Sequence, residues 1–566
     1  MTLEQFHKNL TPPTGKVDVI LDTDAFNEID DQFAISYMLA SEDKLNVVGI
    51  TAAPFYNENS KSPEDGMEKS YYEVMKILSL FRREDLASKV FMGSRSYLPS
   101  ESIPAQSPAA DFMVSEAKKH SPENPLYIVA IGAITNVASA FLICPEMAES
   151  CVVVWLGGHA HDWPYGCSEF NMGQDIAAAR VIFSSGVPLV QLPCAGVVDH
   201  FYVTKPELEA WLVGKNPVAT YLATNTIAAA DSYALNRPWS RVIWDVTAIG
   251  WLLNGEGRFM SDRLVHAPMP QKDRMYAFDP TAHFMKYVWR IDRDALIADL
   301  FEKIGGKEIR MDLTGYKLVF EDDFNGDALD TDNWEFRHVG RTSGGFDGTK
   351  NVRVENGNLI IKQGYFEDGE YGAGWYGADL HIKKRYTRGY FECRCICNDP
   401  YPNGLWSAFW LQARGPYTPE ISRGGIGGAE LDVMESMRVW LPSDKDGIRT
   451  GAPGAEHNIH VTGMRSQPYA FPGHETQHPF PIRAHIPDCF TEYHTYALEW
   501  TKEVYRFYVD GNCTFETNWG DGVSEADQEV CVSICVPGSG MTDKSVYNEM
   551  KVDYVRVWQK EEDIAE

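Results

Sequence analysis

Two groups of acidic residues carry the chemistry open to this chain. In GGAELDVMES (residues 427–436), Glu430, Asp432 and Glu435 follow an E-x-D-x-x-E spacing. Side chains alternate between the faces of a strand, so 430 and 432 share one face and 435 falls on the other. One extra residue at a β-bulge near Val433–Met434 reverses that phase and turns all three carboxyls into one cleft. Acids crowded together repel, which raises the proton affinity of one member while another stays ionised. Cleavage of a glycosidic bond at neutral pH needs such a pair, an acid and an ionised nucleophile. The same spacing also fits a solvated acidic strand.

The second group lies in DVILDTDAFNEIDDQFAI (18–35), where Asp22, Asp24, Asp30 and Asp31 crowd the turn between a strand and a helix. Hard carboxylate oxygens at this density favour Ca²⁺. They sit at the C-terminal end of a strand, where α/β domains bind ligands. A set of helix-capping aspartates on a solvated turn would read the same way.

The elements that must position these groups differ between the two halves. VDVILD, LNVVGITA, PLYIVAIG, CVVVWLGG and VPLVQLP are buried-strand runs, separated by helical patterns such as DDQFAISYMLAS and IAAARVIFSS. This alternation predicts an α/β domain with a mostly parallel sheet. DRDALIADLFEKIGG reads as its last helix, stopped by Gly305 and Gly306. Beyond it come short strands with turns between them: NLIIKQ, GYFECRCI, SAFWLQA, YALEWT, YRFYVDG, VCVSICV and KVDYVRVWQ. That is an all-β sandwich or jelly-roll pattern. The chain is thus expected to be multidomain, α/β over 1–310 and all-β over 311–566.

A length of 566 residues exceeds what one hydrophobic core supports. The formal net charge of −29 opposes binding to nucleic-acid phosphates and anionic membranes. The 11 cysteines show no paired framework, and Cys393, Cys395 and Cys397 alternate on one strand face. They are expected to be buried, reduced thiols, which fits a reducing compartment. The N-terminal MTLEQFHKNL lacks a signal-peptide pattern, and no apolar run has membrane-spanning length. The expected location is cytoplasmic, or secreted if a signal has been removed.

Residues 316–560 resemble glycoside hydrolase family 16, the laminarinase-like branch most of all. The resemblance rests on FEDDFNGDALDTDNW (320–334), YTRGYFECR (386–394), GLWSAFWLQ (404–412), the E-x-D-x-x-E strand, YHTYALEWTKEVYRFYVDG (493–511) and VDYVRVW (552–558). It implies a concanavalin-like β-jelly roll and retaining cleavage of a β-linked polysaccharide or oligosaccharide, such as β-1,3-glucan. Glu430 would be the nucleophile, Glu435 the acid/base and Asp432 the group that tunes Glu430. Trp375, Trp406 and Trp410 are candidate sugar platforms, because an indole face matches the C–H face of a pyranose. Trp500 is expected in the core. His457 in HNIHVTG is a candidate to line the cleft. The glycine-rich segment 413–429 is longer than the family pattern and is expected to reshape the cleft.

Residues 16–300 resemble the inosine–uridine nucleoside hydrolases. The loop DTDAFNEIDD, AIGAITNVASAF (130–141), GGHAHDWPYGCSEFN (157–171) and IWDVTAIGWLL (243–253) carry that resemblance. It implies Ca²⁺ held by Asp24, Asp31, Asp245 and the Thr135 carbonyl, with Asp24 also taking a proton from water. Asp30, Glu169 and Asn171 would hold ribose hydroxyls, with Asp22 supporting the loop. The loop is two residues longer than the family signature, placing Asn27 and Glu28 near the ribose side. Trp244 stands where many members carry a histidine that protonates the leaving base. Tryptophan cannot deliver that proton, although it could stack on a base. His159 and His161 are candidate substitutes, or polar loop residues.

The resulting expectation is a bifunctional hydrolase, an endo-β-glycanase joined to a calcium-dependent enzyme for a nucleoside or other pentoside. The alternative is a single-activity glycanase whose first domain binds a sugar or scaffolds. The second family's habit of oligomerising makes a homo-oligomer an expectation too.

Overall fold

The computed structural model describes residues 1–234, 237–413, 425–439, 451–461, 481–520 and 522–564. Most of the expected cleft-shaping segment, 414–424, lies outside the described residues. The chain divides into two compact units, one of residues 1–208 and 225–307 and the other of 209–224 and 308–566. The excursion 209–224 departs from a single boundary near 310. Within the second unit Val213 packs on the core, Thr220 Oγ1 donates to the Thr514 carbonyl (2.9 Å) and Asn512 Nδ2 donates to the Lys215 carbonyl (2.9 Å).

In the first unit the apolar runs form β1 (Val17–Thr23), β2 (Leu45–Ala52), β3 (Val90–Phe91), β4 (Leu126–Ala130), β5 (Cys151–Leu156) and β6 (Leu189–Leu192). Two later strands, β7 (Met260–His266) and β8 (Phe284–Ile291), complete a sheet of order β3-β2-β1-β4-β5-β6-β8-β7. Every pairing in it is parallel except β8 with β7. β4, β5 and β6 are buried along their whole length, as strands covered on both faces must be. Four helices matter for the site: α1 (Asp30–Leu39), α2 (Thr135–Ile143), α3 (Phe170–Gln174) and α4 (Ile176–Ser184). A fifth, α5 (Val246–Leu252), is buried throughout. The carboxyl end of β1 and the amino ends of α1 and α5 carry the acidic residues. The helix Arg293–Gly305 starts on an Asp292 cap and ends at Gly306, as its sequence signals.

The second unit is an antiparallel β-sandwich. One sheet runs through β9 (Leu359–Phe366), β14 (Asn548–Lys560), β10 (Gly389–Ile396) and the strands His494–Trp500, Tyr505–Val509 and Asn512–Thr517. The facing sheet runs Trp334–His338, Gly374–Ile382, β13 (Glu529–Cys535), β11 (Trp406–Gln412), β12 (Glu430–Val439) and the strand Ala452–His460. Between them lies a core that includes Trp334, Leu380, Phe391, Phe409, Leu431, Leu498 and Trp500, each at most 1% exposed. Burying such a side chain contributes on the order of 1.5–3 kcal/mol. Trp500 also donates its indole N–H to the Ser524 carbonyl (3.0 Å). Cys393, Cys395 and Cys397 point into this core as free thiols, and Cys397 contacts Met434 of β12.

Candidate active sites

The face of the second sheet turned away from the core holds the first acidic group. Glu430 pairs with His460, Asp432 with Asn458 and Glu435 with Glu456, with a register shift between 432 and 435. Against β11 the shift falls between Phe409, opposite Met434, and Trp410, opposite Asp432. Val433 therefore has no partner on either side. Leu431, Val433 and Met434 all enter the core, two of them consecutive in sequence. The bulge so restores phase, and Glu430, Asp432 and Glu435 share the outer face, as the spacing requires.

His460 Nε2 sits 3.3 Å from Asp432 Oδ2 and 3.9 Å from Glu430 Oε1. Gln412 donates its amide to Glu430 Oε2. Trp406 Nε1 donates to Glu435 Oε1 at 2.7 Å. Burial, joined by the negative charges of Asp432 and Glu456 and opposed by the Trp406 hydrogen bond, pushes Glu435 up to about 9. Burial also raises Asp432, to about 6, with the His460 hydrogen bond opposing and the Glu430 charge adding. Glu435 is thus a protonated acid at neutral pH, set beside a carboxylate pair that shares a histidine.

Trp406 and Trp410 are half-buried on this face. Trp410 donates to Ser533 Oγ (3.1 Å), and the Arg337 guanidinium lies 4.5 Å over its ring, covering one face. Arg337 is fixed in turn by Glu529 (3.0 Å) and Asp379 (3.6 Å). Two expectations are corrected. Trp375, 8% exposed, belongs to the core cluster and meets Tyr365 edge-on, so it offers a sugar no free face. His457 is fully buried and does not line the cleft. It lies on the inward parity of its strand, and its neighbour three residues on, His460, is the one on the outer face. Alternation against the buried Ala455 and Ile459 would have identified His460 from sequence; nothing in the sequence flagged Arg337 or Gln412.

In the first unit Asp30, Asp31 and Asp245 bring carboxylate oxygens within 4.8 Å of one another. Burial, with the charges of Asp31 and Asp30 added, holds Asp24 well above the ordinary carboxylate range, and Asp245 is raised by burial and by Asp30, Asp31 and Asp24. Among the described residues, both oxygens of Asp24 and Oδ2 of Asp22 are buried without a hydrogen-bond partner. Buried charge without a partner is costly, and a hard cation is the partner that oxygen donors of this kind accept. Gly132 belongs to the same fit: a Cβ there would stand 2.9 Å from Asp24 Oδ1. Asp30 thus sits among the clustered carboxylates. Asp22 Oδ1 accepts from Thr51 (2.6 Å) on β2 and from Asn136 (2.8 Å) on α2. The Thr135 hydroxyl donates to Asp175 Oδ2 (2.7 Å).

Three residues expected at a ribose are already engaged. Glu169 caps α3, accepting from Asn171 N (2.6 Å), Met172 N (3.2 Å) and Gly158 N (2.8 Å), and burial raises it to about 7. Asn171 spends its amide hydrogens on the Ile131 and Leu156 carbonyls, which leaves its Oδ1 for a ligand. The Asn27 side chain accepts from Asn57 (2.6 Å), so the lengthened loop is tied to the segment that follows β2. Glu28 instead pairs with Arg241, whose charge also reaches Asp30. His161 is hydrogen-bonded to Gln191 (2.9 Å), packed on Tyr287 and lowered to about 4 by burial. The His159 ring nitrogen accepts from Ala195 N (3.2 Å). Both histidines thus have polar packing roles. Trp244 is half-buried, immediately before Asp245.

Residues 19–298 match the profile of the inosine-uridine preferring nucleoside hydrolases, and residues 318–560 match the glycoside hydrolase family 16 domain of β-porphyranases A–D. The chain joins a nucleoside hydrolase domain to a family 16 glycosidase domain. A pyrimidine-specific ribonucleoside hydrolase, RihA of Salmonella arizonae, is 27% identical over 263 residues, covering 42% of this chain and 80% of that one. A β-glucanase of Rhodothermus marinus is 26% identical over 274 residues, 43% and 85% of the two chains. Glucan endo-1,3-β-glucosidase A1 of Niallia circulans is 23% identical over 285 residues, 44% of this chain but only 39% of that enzyme. Among the described residues no helix is long and apolar enough to cross a membrane.

The raised Glu435 ties stability to pH. Its native carboxyl keeps a proton that the unfolded chain releases above the ordinary glutamate range. Its contribution is full below that range and is lost as pH rises through about 9. Glu435→Gln is expected to raise the melting temperature of the second unit at pH 9 and to leave it near the parent's at pH 4, read by calorimetry.

Proposed function

We propose that the chain is a bifunctional hydrolase, with a retaining endo-β-glycanase in its second unit and a calcium-dependent ribohydrolase in its first. The observation that carries the first reading is the shared outer face of Glu430, Asp432 and Glu435, with the last kept protonated. Glu430 attacks the anomeric carbon while Glu435 gives its proton to the departing glycosidic oxygen. Water then releases the covalent sugar as Glu435 takes its proton back. Trp406 orients the acid, and His460 and Asp432 steady the nucleophile's charge. The relatives' names and the matched domain support β-1,3-glucan, mixed-linkage glucan and marine galactans as the substrates to compare.

In the first unit Asp24, Asp31 and Asp245 would hold Ca²⁺, with Asp30 beside them and the Thr135 carbonyl completing the set. A bound calcium would lower the pKa of a coordinated water. Asp24 would accept that water's proton, Asn171 Oδ1 and Asp30 would orient sugar hydroxyls, and Trp244 would stack on the leaving group. One observation favours a second reading, in which this unit only binds a sugar or scaffolds. Trp244 carries no transferable proton, and His159 and His161 are engaged elsewhere.

Glu430→Gln should abolish release of reducing ends from a panel of β-1,3-glucan, mixed-linkage glucan, agar and carrageenan, with circular dichroism unchanged. Retained turnover overturns the nucleophile assignment. Chelation should lower the melting temperature of the first unit and calcium should restore it, since a ligand bound only by the native state adds stability. An unchanged melting curve after verified metal removal counts against the calcium site. The two readings of the first unit separate on p-nitrophenyl riboside and nucleosides: the enzyme turns over at least one and loses that activity in Asp24→Ala, whereas the binder turns over none.

A further inference from the structure

The bulge that aligns the acids leaves an unpaired peptide group inside the sandwich. Val433 has no register partner on β11 or on the strand Ala452–His460, and its side chain is fully buried. Water cannot reach its carbonyl to satisfy it. The group that does is a side chain from the neighbouring strand: His457 Nδ1 lies 2.6 Å from Val433 O. The other ring nitrogen is 3.0 Å from Thr514 Oγ1 in the opposite sheet, and the ring lies against Phe507 at 4.9 Å. Burial keeps the imidazole neutral, with its pKa near 4. A neutral ring with Nδ1 as the donor to Val433 leaves Nε2 as an acceptor facing the Thr514 hydroxyl, which also lies 3.1 Å from the Phe507 carbonyl. The histidine thus replaces the ladder bond that the bulge forgoes and anchors the result across the core.

We infer that His457 is a positioning residue for the glycanase reaction, holding the Val433 bulge so that Glu435 stays on the same face as Glu430. The inference rests on the proposed glycanase reading for its consequence but not for its geometry. Outside the strand ladders, His457 is the described group that reaches Val433 O. Without that donor the buried carbonyl gains by slipping the strand one residue into ordinary pairing, and a one-residue slip turns Glu435 inward.

Two substitutions separate the donor from the volume. His457→Asn keeps an N–H at nearly the position of ring Nδ1, whereas His457→Leu fills the core without a donor. In folded protein, His457→Leu should lose about 100-fold or more in kcat with KM little changed. The basic limb of its pH profile should move down by about one unit or more, as Glu435 leaves its buried setting. His457→Asn should retain both the parent rate within about tenfold and the parent limb. Crystal structures of the same variants should show the bulge kept in His457→Asn and lost or shifted in His457→Leu. An intact bulge with parent kinetics in His457→Leu overturns the inference, and so does an equal loss in both variants with the bulge retained. If the parent cleaves no glycan, the proposed function fails by itself, and the register of β12 in the two crystal structures still decides the role of His457.

Discussion

A single interrupted register governs the glycosidase unit. Strands alternate their side chains with a period of two, and no sequence of the form E-x-D-x-x-E can present both end residues to one face of an unbroken strand. The unpaired Val433 supplies the missing half-step. Once it is there, the rest follows by alternation: Leu431, Val433 and Met434 build the core, while the intervening acids build the cleft. The electrostatics follow too. Glu435 keeps its proton chiefly because it is buried, and the charges of Asp432 and Glu456 beside it add to that.

The first unit meets the same difficulty, crowded carboxylates in a buried place, with different means. There the acids come from strand ends and helix starts of a parallel sheet. In the glycosidase, protons and a histidine can absorb the repulsion. In the nucleoside hydrolase domain, Asp24 has no donor for either oxygen among the described residues, and its neighbours are acids as well. Such a cluster calls for a cation, and Gly132 keeps the space around Asp24 open.

Much of this was legible in the residues. The parallel strands, the final helix of the first unit, the jelly-roll strands and the location of the bulge all follow from periodicity and capping signals, because local pattern and tertiary burial agree there. What escaped was set by parity or by long-range pairing. His457 and His460 differ only in which side of one strand they occupy, and a motif-level reading took the wrong one. Trp375 looked like a platform because aromatic type alone does not distinguish a cleft from a core. That the oxygens of Glu169 also cap a short helix and hold the Gly158 amide is set by the fold and not by any local motif. The antiparallel edge of the first sheet, and the grouping of 209–224 with the second unit, depend on contacts between distant segments that no local pattern encodes.

The cysteines have a use that is independent of catalysis. Nine of the eleven are buried, among them Cys151, Cys167 and Cys194 in the first unit and Cys393, Cys395, Cys397 and Cys489 in the second. A thiol packed in a core reacts with an alkylating reagent only after local opening, so its modification rate measures how often that region opens. Mass spectrometry of the tagged peptides would therefore act as two internal clocks, one per unit, timing their fluctuations separately in the intact chain without any engineered residue.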